Sequence, residues 1–206
     1  MGFDFERMLR HVEPVPQEKI DALEAAREIS LRGEMLNRSG ATAVLTADGM
    51  HALITDELKD TQSLRAVRRW LSKAPRKPFL IMMGSLGVGK TLAASYAIVA
   101  KGGKYVTMSE FTRLFSSRWR EDYARAQKLV KSSALLVVDE LGIEDDKHAS
   151  DALHFIVDNR QRGKTIFVGN LGFDQFKTRY DPRTLDRLRP AANAVELTGE
   201  SLRGAA

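Results

Sequence analysis

Between Phe79 and Ala97 the chain reads FLIMMGSLGVGKTLAASYA. Six mostly apolar residues run into the octet Gly84–Thr91, GSLGVGKT, and an alanine-rich stretch of helical propensity follows. This handover constrains the fold more than any other feature. A strand that passes through three glycines into a helix presents consecutive backbone N–H groups at a helix N-terminus, where free amides and the helix dipole both favour an anion. Gly84, Gly87 and Gly89 permit positive φ and close backbone approach to a phosphate. Lys90 suits the outer phosphates of a nucleotide, and the Thr91 hydroxyl suits a magnesium ion. The spacing is that of a P-loop. It predicts that Gly84, Ser85, Leu86, Gly87, Val88, Gly89, Lys90, Thr91 and Leu92 hold ATP with Mg2+.

Downstream, apolar runs alternate with long polar-faced segments. FLIMMG, KYVTM, ALLVVDE, TIFVGN and NAVELT read as strands. Helices are expected over 90–101, 109–131 (whole or broken), 148–162 and 173–189, the last broken at Pro182. Apolar strands separated by helices imply parallel pairing with both sheet faces covered, hence an α/β fold with a five-stranded parallel sheet. Residues 1–77 read as a separate, small, mostly helical N-terminal region, leaving 78–206 as the second domain. Within that region PQEKIDALEAAREISLRGEMLNRSG is helical by propensity, and ATAVLTADGMHALI is either a hairpin around Asp48-Gly49 or a broken helical pair. TQSLRAVRRWLSK is expected to be a helix with Leu64, Val67 and Leu71 on one face.

A second acidic signal sits in SALLVVDELGIEDD, where an apolar strand ends in Asp139-Glu140. A carboxylate there is costly to bury without a task. Beside a P-loop, Asp139 is expected to hold Mg2+ largely through water and Glu140 to activate the attacking water. The adjacent glutamate points to hydrolysis rather than transfer to a small acceptor. Asn170 ends the strand KTIFVGN, within reach of a γ-phosphate. RYDPRTLDRLRP carries Arg179, Arg183, Arg187 and Arg189, a set from which a guanidinium could stabilise phosphate charge across a subunit boundary.

The formal net charge is +5, concentrated in RAVRRWLSKAPRKP and in the run from Arg113, which favours a polyanionic partner. There is no cysteine, so disulfides and thiolate metal sites are excluded. No apolar run reaches membrane-spanning length, and the first residues lack a signal-peptide core. A cytoplasmic protein with no membrane partner is expected.

Together Gly84–Thr91, Asp139-Glu140, Asn170 and the arginine helix resemble an AAA+ ATPase, with an ASCE-type P-loop core. More narrowly, Pro78 to Arg203 is similar to the DnaC/IstB group of helicase loaders and transposon ATPases, through YVTMSEFTRLF, LLVVDELGIE, IVDNRQRGKTIFVGN and DPRTLDRLR. The resemblance implies that Asn170 is the sensor-1 residue, Arg187 the arginine finger and Arg203 a late sensor-2 arginine. By the same resemblance, no full C-terminal helical lid of the kind found in most AAA+ proteins is expected. In such a group single-stranded DNA is met by the helix after strand two and the loop after Asp139-Glu140, which makes Arg118, Arg120 and Lys147 the candidate phosphate contacts. Trp119 is expected to pack rather than to stack on a base, and Asp145 and Asp146 would oppose DNA. The implied role is an ATP-dependent, self-assembling loader that binds single-stranded DNA and a replicative ring helicase. The alternative is a transposition helper that binds DNA and a transposase.

Overall fold

A computed structural model describes residues 16–72, 77–144 and 146–202. The expected Arg203 and Asp145 contributions lie outside them. Five strands, β1 (Phe79–Gly84), β2 (Lys104–Thr107), β3 (Leu135–Leu141), β4 (Lys164–Gly169) and β5 (Ala192–Leu197), form one sheet in the order β2-β3-β4-β1-β5. Every pairing is parallel. Nine helices among the described residues cover it: α1 (Gln17–Ser39), α2 (Ala47–Thr55), α3 (Gln62–Ser72), α4 (Lys90–Lys101), α5 (Met108–Phe115), α6 (Arg120–Ser132), α7 (Asp146–Asn159), α8 (Phe173–Arg179) and α9 (Pro182–Ala191).

Strand periodicity divides the core into two layers. Phe79, Ile81, Met83, Val106, Leu136, Val138 and Phe167 face α5–α9. Leu80, Met82, Tyr105, Leu135, Val137, Ile166 and Val168 face the opposite layer, with Ala93, Ala94, Ala97 and Ile98 of α4. Leu36, Leu53, Leu64, Val67 and Trp70 join that second layer, so the ends of α1, α2 and α3 share a core with the P-loop helix.

The segment 41–54 resolves as helical. A 3-10 turn at Ala41–Ala43 precedes α2, and the Thr46 hydroxyl caps α2 by accepting from the Gly49 N–H at 3.1 Å. Asp48-Gly49 therefore lies in a first helical turn, not in a hairpin. On α3 the buried apolar face is Leu64, Val67 and Trp70, with Leu71 half-buried at its margin. The helical stretch expected over 109–131 is the broken form, α5 and α6. The stretch 173–189 is broken at Pro182 as expected, since Pro182 starts α9 at a position that needs no amide donor.

Candidate nucleotide site

The octet Gly84–Thr91 leaves β1 at the carboxyl end of the sheet and turns into α4. Gly84, Gly87 and Gly89 have φ of 120°, 79° and 81°. A Cβ on Gly84 would run into the Leu197 carbonyl of β5, and one on Gly87 into Ser201, so both positions need glycine for space as well as for φ. The loop is pinned from three sides. The Ser85 N–H donates to Leu197 O (2.9 Å), the Leu202 N–H to Gly87 O (2.9 Å) and the Ser63 hydroxyl of α3 to Val88 O (3.0 Å). Lys90 is buried, and its Nζ donates to the carbonyls of Gly84 (2.9 Å) and Ser85 (2.6 Å). Burial pushes its pKa below the ordinary lysine value, an effect that the Asp139 carboxylate opposes.

Asp139 is 3% exposed and fully engaged on one side. Its Oδ2 accepts from the Thr91 hydroxyl (2.7 Å) and from the Tyr105 hydroxyl (2.8 Å), and its Oδ1 accepts from the Glu140 N–H (2.7 Å). Strand parity explains the meeting. Asp139, Val137 and Tyr105 all point to the α4 layer, and Thr91 stands on the first turn of α4. Burial, reinforced by Asp139, pushes the Tyr105 phenol well above the ordinary tyrosine range, so it stays a donor. Tyr105 was not among the residues predicted from sequence. Its role depends on β2 lying beside β3 in this register, with Tyr105 opposite Val137 and Thr107 opposite Asp139.

Glu140 interrupts β3. Val138 pairs with Phe167 and Leu141 with Gly169, so one extra residue is inserted, and Glu140 takes φ of 60°. Such a bulge redirects a side chain, and left-handed backbone on a non-glycine residue is strain of the kind found at working sites. The parity of β3 slips there by one, so that Leu141 packs in the layer of Val138 while Glu140 is left half-buried at the sheet end. Behind it, buried Glu144 accepts from the Gly142 N–H (2.7 Å), from Arg179 Nε (3.3 Å) and from the Tyr180 hydroxyl, and its own carbonyl accepts from Arg179 Nη2 (2.6 Å). Burial and Glu144 push the Tyr180 phenol upward, with Arg179 opposing. The end of α8 thus clamps the turn that follows Glu140, and Arg179 is committed inward.

Asn170 is exposed one residue past β4. Because β4 lies between β1 and β3, Asn170 leaves the sheet between the P-loop strand and the Glu140 strand. Arg187 is not gathered with them. It forms an ion pair with Asp158 of α7, which His154 Nε2 also approaches at 3.2 Å, while His154 Nδ1 lies 2.9 Å from the buried Thr184 hydroxyl of α9. Arg118 and Arg120 are exposed at the start of α6, and Lys147 is exposed on α7. Trp119 corrects the expectation of packing, since it is 77% exposed. The apolar demand of this region is met by Phe115, Tyr123 and Phe155, whose ring centroids lie 5.2–6.4 Å apart.

These residues fit a nucleotide and its magnesium. The glycine loop offers amides, a buried lysine rests on exchangeable carbonyl partners, and one hydroxyl and one carboxylate stand together.

The sequence profile described as IstB-like ATP binding protein matches residues 54–205, nearly three quarters of the chain. The chain belongs to the IstB-like ATP-binding family. Several solved structures share its fold. A protein assigned as a primosome component from Streptococcus pyogenes serotype M3 is 20% identical at a TM-score of 0.56, covering 78% of this chain and 93% of that one. DnaI is 23% identical at 0.50, covering 82% and 93%. The replication initiator DnaA, bound to AMPPCP and single-stranded DNA, is 16% identical at 0.54, covering 69% of this chain and 48% of its own. No curated protein matches the chain. The IstB-like chain is therefore an AAA+ ATPase of the DnaC/IstB type, and no described helix is long and apolar enough to cross a membrane.

Proposed function

We propose that this IstB-like ATPase acts in the cytoplasm as a helicase loader, holding single-stranded DNA and a replicative ring helicase, with ATP binding and hydrolysis as an assembly switch. The observation that carries this reading is Trp119, an indole exposed between exposed Arg118 and Arg120. An exposed ring flanked by guanidiniums suits unpaired bases and backbone phosphates, with stacking of about 1–3 kcal/mol per base. Duplex bases offer no such face. Gly84–Leu92 would cradle the triphosphate with Lys90 on its outer phosphates, and Thr91 and Asp139 would hold a Mg2+ that would supply neutralisation of phosphate charge. Glu140 orients the attacking water, Asn170 and Arg203 contact the terminal phosphate, and Arg187 reaches the site of an adjacent copy in a homo-oligomer. Lys147 adds a phosphate contact. Residues 1–77 grip the helicase and 78–206 form the ATPase domain. The outer turns of α1, exposed from residue 16 to 31 and carrying Leu23 and Ile29, are the gripping surface.

The family match favours a second reading, a transposition helper that binds duplex DNA and a transposase. The two separate on DNA form and captured partner. The full chain should bind single strands in preference to duplex, turn over ATP faster with them, and retain a ring helicase in co-purification. Trp119→Ala should weaken single-strand binding about tenfold. Preference for duplex, with a transposase retained instead, contradicts the loader.

A further inference from the structure

The Asp139 carboxylate has about four acceptor positions on its two oxygens. Thr91 and Tyr105 fill Oδ2, and the Glu140 N–H takes one position on Oδ1. One position remains, on Oδ1. Two of the three donors come from the loop helix and the bulge, which are parts of the nucleotide site. The third comes from β2, a strand with no other part in the site, through a tyrosine that is 7% exposed.

We propose that Tyr105 is a positioning residue for magnesium: its hydroxyl occupies Asp139 Oδ2, so that the carboxylate meets the metal only through a water on Oδ1 and cannot swing to bind it directly. This rests on the reading of Gly84–Thr91 as the nucleotide loop. Mg2+ keeps its waters and demands near-octahedral geometry. A carboxylate fixed in orientation, with one position on Oδ1 open to a coordinated water, therefore favours it, whereas a carboxylate free on Oδ2 does not. Hydrogen-bond partners of this sort are worth about 10–100-fold in metal affinity.

The test uses the full chain and a fluorescent, non-hydrolysable ATP analogue, titrated in EDTA and in Mg2+. Tyr105→Phe should leave affinity in EDTA within about twofold and remove about tenfold of the gain that Mg2+ gives the natural chain. An undiminished gain overturns the proposal. Equal losses in EDTA and Mg2+ also overturn it, because Tyr105 would then serve only the fold. If the natural chain binds the analogue in neither condition, the nucleotide reading itself fails and the proposal with it. Should the variant not fold, fluorotyrosine labelling of the natural chain decides. With the analogue bound, the Tyr105 fluorine resonance should shift when Mg2+ replaces EDTA, and an unmoved resonance overturns the assignment.

Discussion

Arg160 and Asp139 are acid–base side chains buried at opposite ends of the sheet, 2% and 3% exposed, and their surroundings treat them in different ways. Arg160 sits at the amino end of the strands. Nε donates to Thr165 Oγ1 (2.6 Å), Nη1 to the carbonyls of Val130 (2.6 Å) and Ser133 (2.9 Å), and Nη2 to Lys164 O (2.6 Å). A Cβ on Gly163 would stand 3.1 Å from the guanidinium carbon, tighter than ordinary contact. These acceptors are neutral and belong to fixed backbone or strand, and burial alone pushes the group down to about 10. The cation ties the end of α6 and the turn that follows it to β4. Asp139 sits at the carboxyl end, where its donors come from the loop helix, from a neighbouring strand and from a strained bulge, and an acceptor position is left over. Nearby, Lys90 rests on two loop carbonyls that a phosphate can replace. The buried charge that holds structure rests on fixed neutral acceptors, whereas the one beside the loop is held by donors that belong to the candidate site and to the strand next to it.

Substitutions at the two ends should separate stability from chemistry. Arg160→Ala leaves four acceptors without their donor, and denaturant unfolding should show a loss of about 3 kcal/mol or more. The folded fraction should bind nucleotide with unchanged affinity. A matching loss of affinity would break the comparison. Glu140→Gly should do the reverse. Relief of the left-handed backbone should raise stability by about 1 kcal/mol, while loss of the carboxylate lowers ATP turnover by at least about 100-fold. A destabilised variant would mean that the bulge is not strained. Arg187→Ala should change stability least, within about 0.5 kcal/mol, because its pair with Asp158 is half-exposed. Nucleotide affinity of dilute single subunits should hold, and turnover in assemblies should fall about 1000-fold. A weaker affinity in the dilute chain would place Arg187 in its own subunit's site.

The sheet was readable because β1, β3 and β4 carry short apolar runs bounded by glycine or charge, and α4 because the octet dictates where a helix must begin. Asp139 and Glu140 stood out as acids at the end of an apolar strand. What the sequence hid depends on contacts between distant segments. Tyr105 matters only because β2 pairs with β3. The Glu144 clamp needs α8 to return beside the β3 turn, and Arg160 looks like any surface arginine in NRQRGK. The bulge at Glu140 leaves no residue signal, since glutamate rarely takes positive φ by its own preference. Trp119 was misjudged because an indole usually packs, and three other rings had already filled that space.

Titration calorimetry of the full chain with ATP and Mg2+ tests the nucleotide site most directly. The natural chain should give saturable heat at one site per chain. Lys90→Ala, checked for folding by circular dichroism, should give none. Absence of heat from the folded natural chain, or equal binding by Lys90→Ala, would contradict a triphosphate site in the loop after β1.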